Sequence, residues 1–143
     1  PAMSSFRPDL ARDRHLLERL IENDPVWVVA NDHLEKMRFL ETAFLTQQQT
    51  IPVRRLSSII AEYGVIRVDV LKIDVQHGET EVLAGLSEED WPKIHQVVIE
   101  LQDYDGVVTQ VIDIFRCHGF RTDVAIIPLH ENTKVRFVSA TRE

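Results

Sequence analysis

Apolar residues recur along this chain with two periods, and the change from one to the other divides it. Residues 1–8 read as an irregular arm, after which Leu10, Leu16, Leu17, Leu20 and Ile21 fall at helical spacing between Asp9 and Glu22, opposite Arg12, Asp13, Glu18 and Arg19. Asn23, Asp24 and Pro25 end this amphipathic helix, and Asp24 before Pro25 suits the start of a second one. His33, Met37, Leu40 and Phe44 recur at three and four and carry the second helix to about Thr46. Val26 to Ala30 also has the β-branched content of a short strand, but the helix is the preferred reading.

After the polar break at Gln47 to Thr50 the period changes. Ile51 to Leu56 reads as a short strand, Ser57 to Tyr63 as a helix closed by Gly64, and Ile66 to Val75 as a buried strand. Helix Glu79 to Leu86, strand Ile94 to Leu101 and helix Val107 to His118 follow, the last with Val108, Val111, Ile112 and Phe115 on one face and stopped by Gly119. Strands Arg121 to Ile127 and Lys134 to Thr141 finish the chain. Alternating strands and helices mean parallel pairing under covering helices, and two successive strands at the end add an antiparallel edge. The expectation is an α/β fold with a mixed sheet of about four to five strands, residues 1–50 forming an arm and two helices and residues 51–143 one compact unit.

Charge and composition narrow the function. With 16 Lys and Arg against 23 Asp and Glu the formal net charge is −7, so a phosphate backbone is not an expected partner. No apolar run reaches the roughly 20 residues of a membrane span. The one cysteine, Cys117, excludes an internal disulfide and suits a reducing compartment, so a cytoplasmic location is expected. His77, His95, His118 and His130 share no metal-site spacing with Asp, Glu or Cys.

In open α/β sheets ligands sit beyond the carboxyl ends of parallel strands, which makes Asp74 and Gln76 the first candidates for a site. Lys72, inside an apolar strand, is expected to snorkel or to form a structural ion pair, with Glu100 on the neighbouring strand as a candidate partner, rather than to act in catalysis. Glu79 and Glu81 are read as favouring the start of a helix, Ser87 to Asp90 as a solvated loop over Trp91, and Cys117 with His118 as core and cap.

The run from Leu71 to Leu86, Leu-Lys-Ile-Asp-Val-Gln-His-Gly-Glu-Thr-Glu-Val-Leu-Ala-Gly-Leu, resembles the signature of the FkbM family of S-adenosylmethionine-dependent methyltransferases, close to L-K-I-D-V-E-G-x-E-x-x-V-L-x-G. Val53 to Ile60 resembles the preceding segment of the family, and Asp90-Trp91-Pro92-Lys93-Ile94 with Val97-Val98-Ile99-Glu100 resembles the version embedded in polyketide synthases and nonribosomal peptide synthetases. The resemblance covers roughly residues 50 to 141. It implies part of a class I, Rossmann-like methyltransferase fold, the strands between 66 and 141 being the fourth to seventh of seven. In that fold a glycine-rich loop after the first strand and an acidic residue ending the second hold the methyl donor. The five glycines here, at 64, 78, 85, 106 and 119, include no G-x-G. The chain is therefore expected to bind no S-adenosylmethionine by itself.

Where those relatives carry E-V-H-D, with a histidine suited to act as general base, this chain has Glu100-Leu101-Gln102-Asp103, and glutamine takes no proton near neutral pH. Asp74, Glu100, Gln102 and Asp103 are thus read as vestigial catalytic candidates, and Asp74 and Gln76 as donor contacts. The functional reading is a truncated, non-catalytic methyltransferase-like domain of a modular synthase with a structural, docking or dimerisation role. The alternative is the C-terminal portion of an active O-methyltransferase acting on a carrier-bound intermediate or a small-molecule hydroxyl. Expected partners are neighbouring synthase domains or a carrier protein. Without earlier strands the edge of strand 66–75 would be bare, so residues 9–46 and 50–56 are expected to cover it, with homodimerisation through the same edge.

Overall fold

A computed structural model describes residues 9–30, 33–44 and 50–142. Helix α1 (Leu10–Asn23) opens on Asp9, whose carboxylate accepts the Arg12 amide hydrogen at 3.1 Å and so satisfies one orphan donor of the first turn. Helices α2 (Pro25–Ala30) and α3 (His33–Ala43) replace the single predicted helix, and Val26 to Ala30 is helical, not extended. The predicted arm at 1–8 and the continuation to Thr46 lie outside the described residues. Leu17, Ile21 and Leu40 are buried together, with the Trp27 and Phe39 rings 5.3 Å apart beside them, so these helices make a small core of their own.

The predicted strand at Ile51 to Leu56 does not form. Residues 50–55 are irregular with Ile51 and Val53 exposed, and helix α4 (Leu56–Glu62) follows directly. β-branched residues favour strands only where a neighbour pairs with them, and none does here. Strand β1 (Val68–Ile73), helix α5 (Glu79–Ala84), strand β2 (Ile94–Gln102), helix α6 (Val107–Cys117), strand β3 (Arg121–Ala125) and strand β4 (Val135–Thr141) complete the chain. The sheet order is β1-β2-β4-β3, with β1 parallel to β2 and the other pairs antiparallel. This is the mixed four-stranded α/β sheet of a Rossmann-like methyltransferase fold, and it is open at β1.

Register explains the core. Val97 pairs with Ala140, Ile99 with Ile73 on one side and Val138 on the other, so these side chains share one face. Val111 and Phe115 of α6 close over that face, and all of them are buried. Burying a side chain the size of Phe115 or Ile99 stabilises the fold by about 2–3 kcal/mol. The opposite face is different. Val70 on β1 is 54% exposed and Val98 on β2 37%, and Ser139 and Thr141 continue the open surface across β4.

Helix α1 does not cover that opening. It lies across the carboxyl ends of the strands, where Asn23 Nδ2 donates to the carbonyls of Leu129 and Glu131 at 2.9 and 2.7 Å. Among the described residues no strand pairs with the outer edge of β1. Among the described residues, no strand from 9–46 or 50–56 pairs with that edge, and α1 packs on the end of the sheet.

Candidate functional site

Parallel pairing of β1 and β2 brings their carboxyl ends side by side, and the two loops that leave them face α1. Between them lies a polar cleft of about 180 Å³ lined by Arg12, His77, Glu79, Thr80, Gln102 and Tyr104. Arg12 comes from α1, His77 from the β1–α5 loop, Glu79 and Thr80 from the first turn of α5, and Gln102 and Tyr104 from the end of β2. Distant segments thus meet at the sheet end where α/β folds place ligands.

His77 is held from two directions. Its Nε2 lies 2.8 Å from Asp13 Oδ1 on α1, and both side chains are largely withdrawn from solvent. The backbone of His77 is left-handed, with φ 70°, next to Gln76 with φ 52°. That conformation costs a residue with a Cβ about 1–3 kcal/mol and persists only where the surroundings impose it. The FkbM pattern has glycine at this place in Asp-Val-Glu-Gly, a residue free of that penalty. The contact with Asp13 is the visible restraint on the histidine.

Arg12 caps the cleft. Its guanidinium sits 4.3 Å from the centre of the Tyr104 ring, with Nε 3.2 Å from Asp9 and a terminal nitrogen 3.5 Å from Asp105. Both polar atoms of the Gln102 side chain, Oε1 and Nε2, are buried and have no hydrogen-bond partner among the described residues. An unmade bond of this kind costs about 1–3 kcal/mol per group.

The predicted candidates separate here. Only Gln102 lines the cleft. Asp74 is tied up at the end of β1, accepting from Lys72 Nζ at 2.7 Å and from Gln76 Nε2 at 3.3 Å. Lys72 forms the expected structural ion pair, but with Asp74 rather than the candidate Glu100, because the two-residue spacing puts Asp74 on the same face; the bond to Asp74 raises its pKa. Glu100 is half-buried one pair below, and burial followed by the charge of Asp74 pushes its carboxyl above the ordinary range, with Lys72 opposing and Glu79 adding to the rise. Asp103 extends the sheet, its amide donating to the Lys134 carbonyl at 2.8 Å.

Other readings are corrected as well. Asp13, assigned to the solvent side of its helix, is 5% exposed; Glu79 does open helix α5 as expected, and it is buried there. Cys117 is exposed, whereas His118 stacks on Trp91 with ring centres 4.1 Å apart. Asp90 is not part of a solvated loop: it is buried, accepting from Ser87 Oγ and Lys93 Nζ, each at 2.8 Å. The cleft residue missed in the sequence is His77, and its signal was a side chain standing where the signature has glycine. Asp13 carried no such signal.

A nucleoside-bearing donor such as S-adenosylmethionine finds only part of a cradle in these residues. The sole predicted acidic contact, Asp74, is already bonded to Lys72 and Gln76, and no strand lies outside β1 among the described residues to bring a second loop beside it. The residues present do not fit that group by themselves. No group of three or more His, Cys, Asp or Glu suited to a metal ion occurs among the described residues, and no helix of the described chain is long and apolar enough to cross a membrane.

A family model described as Methyltransferase FkbM domain matches residues 15–122. The chain is 37% identical over 140 residues to the 31-O-demethyl-FK506 methyltransferase FkbM of Streptomyces tacrolimicus, covering 98% of this chain and 52% of that enzyme. It is 32% identical over 131 residues to the AMB antimetabolite synthetase AmbE of Pseudomonas aeruginosa, covering 87% of this chain and 6% of the synthetase. A shorter likeness, 35% over 78 residues, covers 49% of this chain and 30% of the methyltransferase sdnD of Sordaria araneosa. The chain thus spans about half the length of the Streptomyces enzyme. No solved structure matches it.

Proposed function

Because the chain belongs to the FkbM methyltransferase family, we propose that its sheet is the acceptor-side portion of a methyl-transfer unit and that these residues transfer no methyl group unaided. The observation that carries this reading is the bare edge of β1 beside the cleft. β1 ends at the Asp74 loop, its outer side pairs with no described strand, and the polar cleft opens at the same end of the sheet. A strand added alongside β1 in the parallel sense would deliver its following loop next to that cleft. We assign the donor site to such a loop, and the role of this chain to docking it and holding the acceptor.

The likeness to a synthetase of which the match covers 6% supports a home within a modular synthase, where a neighbouring domain or another stretch of the same polypeptide supplies the strand. Homodimerisation along the edge of residues 66–75 is the competing arrangement, favoured by the exposure of Val70 and Val98, which would give two copies an apolar contact. A monomer in sedimentation at high concentration removes it. Calorimetry with S-adenosylmethionine tests the main reading. These residues alone are expected to give no saturable heat, and binding with a Kd of about 1–10 μM overturns the proposal.

A further inference from the structure

We propose that α1, with α2 and α3 behind it, is a movable lid over the polar cleft, and that the pair Asp13–His77 couples its closure to the shape of the loop after β1. Apolar burial divides the molecule first. Leu17, Ile21 and Leu40, with Trp27 and Phe39, form one core, and the residues between the sheet and α6 form another; the two share no residue among those described. Elements locked into separate cores open separately more readily than elements that share one, so the three helices can move as a body. Side-chain hydrogen bonds fasten that body to the sheet near the two ends of α1, at Asp13 and at Asn23, about 15 Å apart along the helix.

The two fastenings differ in kind. Asn23 commits its side-chain Nδ2 to two backbone carbonyls of one turn, those of Leu129 and Glu131. At the other end Asp13 Oδ1 meets His77 Nε2 at 2.8 Å, and Arg12 lies over the Tyr104 ring. Arg12 and His77 both line the cleft, so lifting this end of α1 uncovers it. His77 has φ 70° beside Gln76 with φ 52°, a backbone region that residues with a Cβ rarely adopt. A segment held there by a contact from outside it has two arrangements, one imposed while the contact stands and one relaxed when it is broken. Asp13 is that contact, and it belongs to the lid. Linkage makes the effect reciprocal: whatever reshapes the loop, a strand docked beside β1 included, shifts the balance between closed and open lid.

The lid requires neither a methyl donor nor the acceptor-side reading, so its failure would leave the calorimetric result with S-adenosylmethionine untouched. Spin labels at Glu41→Cys on α3 and Asp113→Cys on α6, both exposed positions, report the distance between lid and sheet in a Cys117→Ser background. Asn23→Ala removes one fastening and Asp13→Asn weakens the other, and in each the share of molecules with a displaced label is expected to rise at least about tenfold. The coupling is read on the backbone amides of residues 76–78 in the nitrogen-15-labelled chain without spin labels. They are expected to shift in Asn23→Ala, although Asn23 bonds to the turn at Leu129 and Glu131 and not to this loop. In a His77→Gly background, where glycine takes the left-handed backbone freely, Asn23→Ala should no longer move the amides of Gln76 and Gly78. An unchanged label distance in both fastening variants, or loss of the sheet together with the helices, overturns the lid. Loop amides that ignore Asn23→Ala, or still respond to it without the histidine, overturn the coupling.

Discussion

Asp90, in the turn after α5, and Gln102, at the end of β2, are both polar side chains withdrawn from water beside the same core, but only one of them is satisfied. Asp90 accepts from the Ser87 amide and hydroxyl and from Lys93, and although burial pushes its carboxyl up, these bonds outweigh it and hold it well below the usual carboxylate range. Gln102 has no partner at all among the described residues. The contrast separates two uses of a family motif. Asp90-Trp91-Pro92-Lys93 is an architectural lock, in which Trp91 packs on Phe115, His118 and Phe120 while Asp90 ties the turn beneath it. Glu100-Leu101-Gln102-Asp103 leaves the buried amide of Gln102 without a hydrogen-bond partner among the described residues.

Breaking the satisfied member should have the largest effect. Asp90→Asn is expected to lower stability by about 3 kcal/mol in chemical denaturation, because Lys93 and two serine donors lose a buried anion. The pH dependence sharpens the same point. A carboxyl depressed in the folded state contributes stability that is fully present above its unfolded value near 4 and is lost as pH falls below it. The stability gap between native chain and Asp90→Asn should therefore narrow in acid, and a gap independent of pH between about 2 and 7 would remove the charge from the explanation.

Next in size comes Gly85, the last glycine of the signature. A Cβ there would sit 3.0 Å from the Val82 carbonyl oxygen and 3.3 Å from the Leu56 amide, while the Gly85 carbonyl accepts from Ser57 N and Oγ at 3.0 and 2.8 Å. Gly85→Ala should cost about 2 kcal/mol by the same measurement, by prying α4 from α5. A smaller effect of opposite sign is expected at the unsatisfied member: Gln102→Leu should stabilise the unliganded chain by about 1 kcal/mol, visible as a raised melting temperature. A loss of stability there would mean that the amide has a partner after all. His77→Gly should change stability least, within about 1 kcal/mol, since relief of the left-handed backbone offsets the lost bond to Asp13.

The sheet was readable from residue patterns because its strands are apolar on the face that α6 covers, and a two-residue period or a continuous apolar run survives in any sequence so built. Its limits were not. Ile66 is apolar and 88% exposed, yet β1 begins only at Val68, where Ile94 first stands opposite. Pairing, not propensity, sets the strand end, and the same reason removes the strand expected at Ile51. Within the site, Gln102 was legible because it closes a strand and replaces a residue in a pattern. The Asp13–His77 pair was not, since it joins positions 64 apart in sequence and Asp13 sits among the polar residues of an ordinary amphipathic helix.

The one-sided pairing of β1 has a signature in amide hydrogen exchange. Along an edge strand alternate N–H groups point toward the neighbour and away from it. β1 should therefore show protection at every second residue, while β2, flanked by β1 and β4, is protected throughout. Whatever docks on that edge would convert the alternating record of β1 into a continuous one, and the residues that gain protection would give the registry of the added strand directly in solution.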